Sequence, residues 1–385
     1  MSQIIYLDNA ATTSLDPEVF QSMLPYFREH FGNPSSSYSV GRETRSAIEL
    51  ARKTISTILG VKPKTIYFTS GGTESNNTAI ASAINDLSCS HIITSPIEHH
   101  AVLHTVKHYC DFHKISCSFV KLNNEGEVDY QDLEDQLSLH TQNGKKCLVS
   151  LMHGNNEIGS ILDLKRTGDF CRQYQAIFHS DCVQTIGHYP INFADTGVHY
   201  ASGAGHKFHG PKGSGILYIN EEIKASPLIL GGGQERNVRA GTENVYGIIG
   251  FAKALEIATN EFDHDYKTIS ELKEYMKLKL SSIFTEIAFN NPTNSLYTVL
   301  SVCFPDHQYK DLLVTMFDMK GICVSGGSAC SSGDEAGSHV MKALGKSSSC
   351  STIRFSFSKH TTKEEIDKTV EAAASIFKLQ GDTVV

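Results

Sequence analysis

No apolar run in this chain approaches the ~20 residues that a bilayer crossing needs, so a membrane span is not expected. The amino terminus, MSQIIYLDNAATT, has neither a basic leader nor a long apolar stretch, which predicts no secretory signal and a cytoplasmic protein. No C-x-x-C pair occurs among the ten cysteines. Without a signal, a secreted disulfide framework does not fit a chain of this length, and most of the cysteines read as small buried hydrophobes. The phosphate-loop pattern G-x-x-x-x-G-K-S/T and the zinc-protease pattern H-E-x-x-H are both missing. The stretch GGGQERNVRAGTEN has no dinucleotide fingerprint, because no helix opens within it at the required spacing. There is no internal repeat and no low-complexity segment. Positive charge is in deficit too: the formal net charge of -8 argues against a broad attraction to nucleic acid or an anionic membrane.

What remains is an ordinary soluble composition, 40% hydrophobic and 20% charged, over 385 residues, long enough for two domains. A strand at 4–7 is followed by helices at 17–28 and 41–59. Strand-like and helical segments then alternate, with strands at 66–69, 91–94, 116–121, 147–152 and 176–178. This predicts an α/β domain with a mostly parallel sheet, its functional residues in loops at the carboxyl ends of the strands. From Ile248 to Phe284 the helical pattern runs on without proline, as a helix pair connecting two domains would. Strands near 297–304 and 352–357 and a last helix at 363–379 suggest a smaller α+β domain.

Several constellations carry chemistry. HYASGAGHKFHGPKGSGILYI surrounds Lys207 with glycines, which let a backbone approach a ligand closely. A lysine so presented can form a Schiff base with a carbonyl such as that of pyridoxal phosphate (PLP). FTSGGTESNN runs strand, turn and helix start together, an anion site with the Thr73 hydroxyl as an added donor, although a plain capped turn would look the same. AIFHSDCVQTIG carries an apolar strand into Asp181, with Gln184 three residues on. A carboxylate there needs a partner, and a protonated ring nitrogen is one candidate beside an ion pair or a helix cap. His100, His104 and His108 share a helical face but lack a supporting acidic ligand, so an amphipathic helix is preferred to a metal site. His99 falls at the strand-to-helix loop, where an imidazole can stack on a flat ring. Cys330 lies in VSGGSACSSGDEAGSHV, a small-residue segment that packs poorly and suits a travelling thiol better than a structural one. Arg354, inside the apolar strand STIRFSFS, could clamp a carboxylate or make a structural ion pair.

Taken in order, YLDNAATT, GNPSS, FTSGGTESNN, EHHAV, MHGNNEIG, HSDCVQ, GHKFHGPKG, RAGTEN, GSACSS and IRFS resemble the cysteine desulfurases, PLP enzymes of the class V aminotransferase group. The resemblance covers nearly the whole chain. It implies fold type I, with a large PLP-binding domain at 15–258 and a small domain at 1–14 plus 259–385 that carries the cysteine segment. It implies that Lys207 binds PLP covalently, that His99 stacks on the ring, and that Asp181 pairs with the ring nitrogen. Gln184 would bond the ring hydroxyl, Asn156 would contact cofactor or substrate, and Arg354 would hold the substrate carboxylate. Gly72, Thr73 and His206 would hold the phosphate, and Thr242 would serve the neighbouring subunit's site, making a homodimer. Cys330 would take sulfur from L-cysteine, leaving alanine and an enzyme persulfide for an acceptor protein in iron–sulfur cluster assembly or RNA thiolation.

Two positions depart from the pattern. Ala204 stands three before Lys207, where a serine is common, with Ser202 two residues earlier; Tyr38 stands where a histidine is common. Selenocysteine lyases and aminotransferases share the scaffold, and Cys330 in its loop favours sulfur transfer over both. A non-enzymatic sulfur-transfer scaffold would not need Lys207 or Asp181.

Overall fold

The inner strands of the main sheet are short runs of apolar and small residues, HIIT, CLVS, IFHSD and YASGA, each buried along its whole length. Strands covered by helices on both faces have this composition. The computed structural model describes residues 4–305, 312–326, 338–346 and 351–378. The chain opens with β1 (Ile5–Tyr6), α1 (Pro17–Arg28), α2 (Ser39–Ile58) and β2 (Ile66–Thr69). It then alternates through α3 (Gly72–Asn85), β3 (His91–Thr94), α4 (His100–His113), β4 (Ser116–Phe119), α5 (Tyr130–Gln142), β5 (Cys147–Ser150), α6 (Leu164–Gln173) and β6 (Ile177–Asp181). A hairpin of β7 (Tyr200–Ala204) and β8 (Gly215–Ile219) follows, then α7 (Val245–Ile283), β9 (Ala288–Phe289) and β10 (Val299–Phe304). The last elements are α8 (Leu313–Asp318), β11 (Ile322–Cys323), α9 (His339–Ala343), β12 (Ser351–Ser356) and α10 (Lys363–Lys378).

The expected α/β class with a mostly parallel sheet is what the chain adopts. Seven strands pair in the order β2-β8-β7-β6-β5-β3-β4, with β8 antiparallel to both neighbours and the other pairs parallel. One apolar cluster, including Ile55, Val149, Phe178 and Phe251, covers one face; another, including Ile80, Ile92 and Val102, lies under α3 and α4. A separate cluster joins Leu7 to Leu272, Met276, Phe304, Phe317, Phe355 and Ile376 around the sheet β12-β10-β9. No described helix is long and apolar enough to cross a membrane.

One expectation is corrected. The stretch read as a helix pair is a single 39-residue helix, α7. It contains no proline, and no glycine follows Gly250 until Gly321, so nothing interrupts the i to i−4 ladder. Ile248, Phe251 and Leu255 sit in the first core, and Leu272, Met276 and Leu280 in the second. α5 begins at Tyr130 because the Asp129 carboxylate caps it, accepting from the N–H groups of Gln131 and Asp132 at 3.0 and 3.2 Å.

Candidate active site

β6 and β7 are parallel neighbours, so their carboxyl ends deliver Asp181 and, through the turn Gly205–Lys207, the lysine to one rim of the sheet. Lys207 Nζ donates to the carbonyls of Ala10 and Ala11 at 2.7 and 2.8 Å. Gln184 Nε2 donates to the same Ala10 carbonyl at 3.0 Å. The amino-terminal segment is thereby laid across the rim. It is fixed there by Thr13, whose N–H and hydroxyl both donate to the His206 carbonyl, at 2.9 and 3.0 Å.

Asp181 is 5% exposed and is met by donors on both oxygens. Asn76 Nδ2 donates to Oδ2 at 2.6 Å, and the Val183 N–H to Oδ1 at 3.0 Å. Because the Asn76 amide nitrogen faces Asp181, its oxygen faces His179 Nε2 at 3.1 Å and must accept from it. His179 Nδ1 then accepts from the Ser150 hydroxyl at 2.8 Å. Burial pushes His179 down to about 3, in keeping with a neutral ring that has one N–H.

The anion turn forms where β2 meets α3. Gly71 has φ +152°, a conformation that excludes side chains, and a Cβ on Gly215 would fall 2.5 Å from Gly71 Cα. α3 therefore starts at Gly72 with Thr73 in its first turn, where the amides have no partner within the helix. Glu74 ties this turn down, accepting from the Ser70 N–H at 2.9 Å and from Arg239 Nε at 3.0 Å. Across from it, His206 Nδ1 lies 3.1 Å from the Thr12 hydroxyl. Burial, with Lys207 and Lys212 nearby, holds His206 down at about 4.

His99 caps α4: its Nδ1 accepts from the Ala101 N–H at 3.1 Å, which leaves the proton on Nε2. Burial lowers its pKa, and Lys207 adds to this while Asp181 opposes it. On the facing wall Arg354, 2% exposed, gives Nη1 to the Asn156 carbonyl at 2.8 Å and Nη2 to Asp8 at 2.7 Å. Its Nε is buried with no partner among the described residues. Beside it Glu157, 4% exposed, is pushed up to about 7 by burial, against the pull of Ser338 and Arg354.

These walls bound a cleft of about 250 Å³ lined by Gly72, Thr73, His99, Asn156, Asp181, Gln184, His206, Lys207 and Arg354. Residues singled out from widely separated motifs thus converge. Thr242 does not line it; it is exposed on the segment before α7 of its own chain. Cys330 lies outside the described residues. Ala204 lines the cleft, but Ser202 is fully buried below it, 3.4 Å from His179 Nε2, and does not take the vacated place. Tyr38 is 58% exposed and away from the cleft.

Sequence reasoning missed Asn76, His179, Glu157 and Asp8. Asn76 had a signal, since it sits one helical turn after Thr73 and so shares its face. His179 had a weaker one, two residues before Asp181 on the same strand face.

The family described as Aminotransferase class-V matches residues 5–369. A protein of Dictyoglomus turgidum named "Cysteine desulfurase IscS" is 42% identical over 383 residues, covering 98% of this chain and 95% of that one. A solved structure titled "NIFS-LIKE PROTEIN" superposes with TM-score 0.90 at 35% identity, over 98% of this chain and 100% of that one. Another, titled "SspA in complex with cysteine", gives TM-score 0.80 at 30% identity over 93% of this chain and 100% of that one. The chain therefore belongs to the aminotransferase class-V family.

Proposed function

We propose that this protein is a PLP-dependent cysteine desulfurase that converts L-cysteine to L-alanine and leaves the sulfur as a persulfide on Cys330. The observation that carries this reading is the convergence on one cleft of Lys207, Asp181, His99 and Arg354, in a chain whose relatives bear that name. The residues present fit PLP. The open amides of α3, Thr73 and His206 make an anion cradle, the donor-ringed Asp181 suits a protonated ring nitrogen, and Arg354 Nε is a buried donor without a partner among the described residues.

When bound, PLP supplies an electron sink for negative charge developing at the substrate α carbon. The chain's own groups do the rest. Gly72, Thr73 and His206 would bind the phosphate, Gln184 the ring hydroxyl, and His99 the ring face with its Nε2–H kept on the cleft side. Asp181, oriented by Asn76, would hold the proton of the ring nitrogen. Arg354, oriented by Asp8 and the Asn156 carbonyl, would hold the substrate carboxylate through Nε. Lys207 Nζ, poised on two carbonyls, would move the proton at the α carbon. The Cys330 thiolate would attack the substrate sulfur, so the carbon–sulfur bond breaks as a sulfur–sulfur bond forms. The β carbon keeps the electron pair of the carbon–sulfur bond and takes up a proton, which gives alanine.

The division into 15–258 and 1–14 plus 259–385 belongs to the same proposal and draws support from the two apolar cores at the two ends of α7. A homodimer, with Thr242 reaching the partner's phosphate, is supported by the exposed rings of Phe27 and Tyr246, stacked at 4.1 Å close to that segment, and a cytoplasmic location belongs to the same proposal. The persulfide would pass to an acceptor protein, an iron–sulfur scaffold or an RNA-thiolation factor.

The test is purified protein with L-cysteine and a reductant, assayed for alanine and sulfide alongside the visible absorption of bound PLP. Both products should appear, and Cys330→Ser should keep the absorption and lose both. Alanine without sulfide or persulfide would sink the reading.

A further inference from the structure

Glu157 is a buried carboxyl in the cleft wall that the mechanism above does not use. Burying such a group is unfavourable, and an apolar side chain of similar size would stabilise the wall better, so what Glu157 touches is informative. Its Oε2 accepts from the Ser338 hydroxyl, a contact between residues 181 positions apart. Ser338 is also the cap of α9, its Oγ accepting from the Met341 N–H at 3.1 Å. One residue on, His339 Nε2 lies 2.9 Å from the Glu98 carbonyl, and Val340 and Met341 pack on Ile97 and Ile158.

Glu157 itself is held rigidly. Its N–H and that of Ile158 both donate to the Asn155 side chain, at 2.8 and 2.9 Å, and the next carbonyl back, that of Asn156, holds Arg354. On the other flank, Ser325 exchanges backbone hydrogen bonds with the same Arg354, at 3.2 and 2.7 Å. The chain that carries Cys330 is thus rooted at both ends beside one arginine. Cys330 is five residues from Ser325 and eight from Ser338. A five-residue span reaches at most about 18 Å, so where the roots sit decides where the thiol can go.

We propose that Glu157 is a positioning residue: by accepting from Ser338 it seats α9 on the cleft wall and fixes the far root of the chain that brings Cys330 to the substrate. This rests on the reading of Cys330 as the sulfur nucleophile. A carboxyl pushed up to about 7 keeps an acceptor oxygen for Ser338 whether or not it is protonated, so the seat persists across neutral pH. Glutamine keeps that acceptor as well, and alanine does not.

The experiment compares Glu157→Ala, Glu157→Gln, Ser338→Ala and the Glu157→Ala/Ser338→Ala double variant with the parent, as full chains loaded with PLP. Alanine formation gives kcat and KM for L-cysteine, the visible absorption reports the cofactor, and hydrogen exchange at the Met341 and Leu344 amides reports the seat of α9. Ser338→Ala also strips the helix cap, so Glu157→Ala, with the cap intact, is the primary variant. It should lower kcat about tenfold, the worth of one hydrogen bond to a charged group. KM and absorption should hold, while exchange at the two amides speeds up. The double variant should lose no more than the worse single one, and Glu157→Gln should stay within about twofold of the parent. Parent-like kcat in Glu157→Ala, additive losses in the double variant, or Glu157→Gln as slow as Glu157→Ala would each overturn the proposal. Cys330→Ser separates the two failures: if it still makes alanine at the parent rate, the nucleophile reading falls and takes this one with it. If it is inactive while Glu157→Ala is unimpaired, only the positioning role falls.

Discussion

Asn76 stands between Asp181 and His179, giving its amide nitrogen to the carboxylate at 2.6 Å and taking the imidazole proton on its oxygen at 3.1 Å. Three polar side chains on two elements, α3 and β6, are thereby locked in one orientation, with the Asn76 amide donor aimed at Asp181. Asn76→Ala removes one of the two donors on that carboxylate. PLP affinity, read by absorption titration, should fall about tenfold to a hundredfold, the worth of a hydrogen bond to a charged group. Asn76→Asp should be worse, because it sets a second carboxylate against the first. Unchanged affinity in both variants would remove Asn76 from the site.

Arg354 joins the two sides of the cleft, so its variants separate two jobs. Arg354→Lys keeps a charge beside Asp8 but loses the planar fork and the unpartnered Nε. KM for L-cysteine should rise at least tenfold, with the protein still folded. Arg354→Ala should also unfold more readily in urea, by about 3–5 kcal/mol, because it leaves Asp8 without its cation. Equal KM for the parent and Arg354→Lys would count against carboxylate binding here.

The segment before α7 is held by a buried fork. Arg52 Nη1 and Nη2 donate to the Glu235 carboxylate at 2.9 and 2.8 Å, and the Phe68 N–H donates to it at 2.8 Å. Both partners are nearly inaccessible, at 3% and 6% exposed. Breaking the pair by Arg52→Ala should cost about 3–5 kcal/mol in urea unfolding, whereas Arg52→Met with Glu235→Leu should cost less than either single change. A loss in Arg52→Ala below about 1 kcal/mol, in the range of exposed pairs, would contradict this.

Acid should destabilise the fold before carboxylate protonation does. His153 and His188 are pushed down to about 4 and His179 to about 3, all by burial, from an ordinary value of 6.5. Between those limits the unfolded chain binds protons that the folded one refuses, so stability rises with pH there and is lost on acidification. Each such histidine removes about 2 kcal/mol by pH 5. Glu157, held up near 7, and Glu98 and Asp265, also raised by burial, work the other way, since the folded state keeps their protons where the unfolded chain loses them. With His91, His206 and His209 also held down at about 4, the histidines outnumber them, so the urea midpoint should fall from pH 7 to pH 5. A flat midpoint over that interval would show that these rings can protonate in place.

The fold was legible where local pattern and tertiary role coincide. β3, β5 and β6 are apolar enough to be read as strands from the sequence alone. Lys207 stood out for the glycines that surround it, and Asp181 because a carboxylate at the end of an apolar strand needs a partner. Glu157 and Ser338 did not, since a contact across 181 positions leaves no trace in either neighbourhood. Nor did the unbroken α7, because its two apolar faces serve different cores and so blur one period into what looks like two helices.

That helix has a mechanical consequence. At 39 residues it is a rod about 58 Å long. A tilt of one degree where Ile248, Phe251 and Leu255 seat it moves the far end by about 1 Å, as the length of such a rod requires. The second core rides on that end, and with it the strand that holds Arg354. The spacing between the lysine rim and the arginine wall is therefore gauged from well outside the cleft, by the grip of three apolar side chains that touch no reactant.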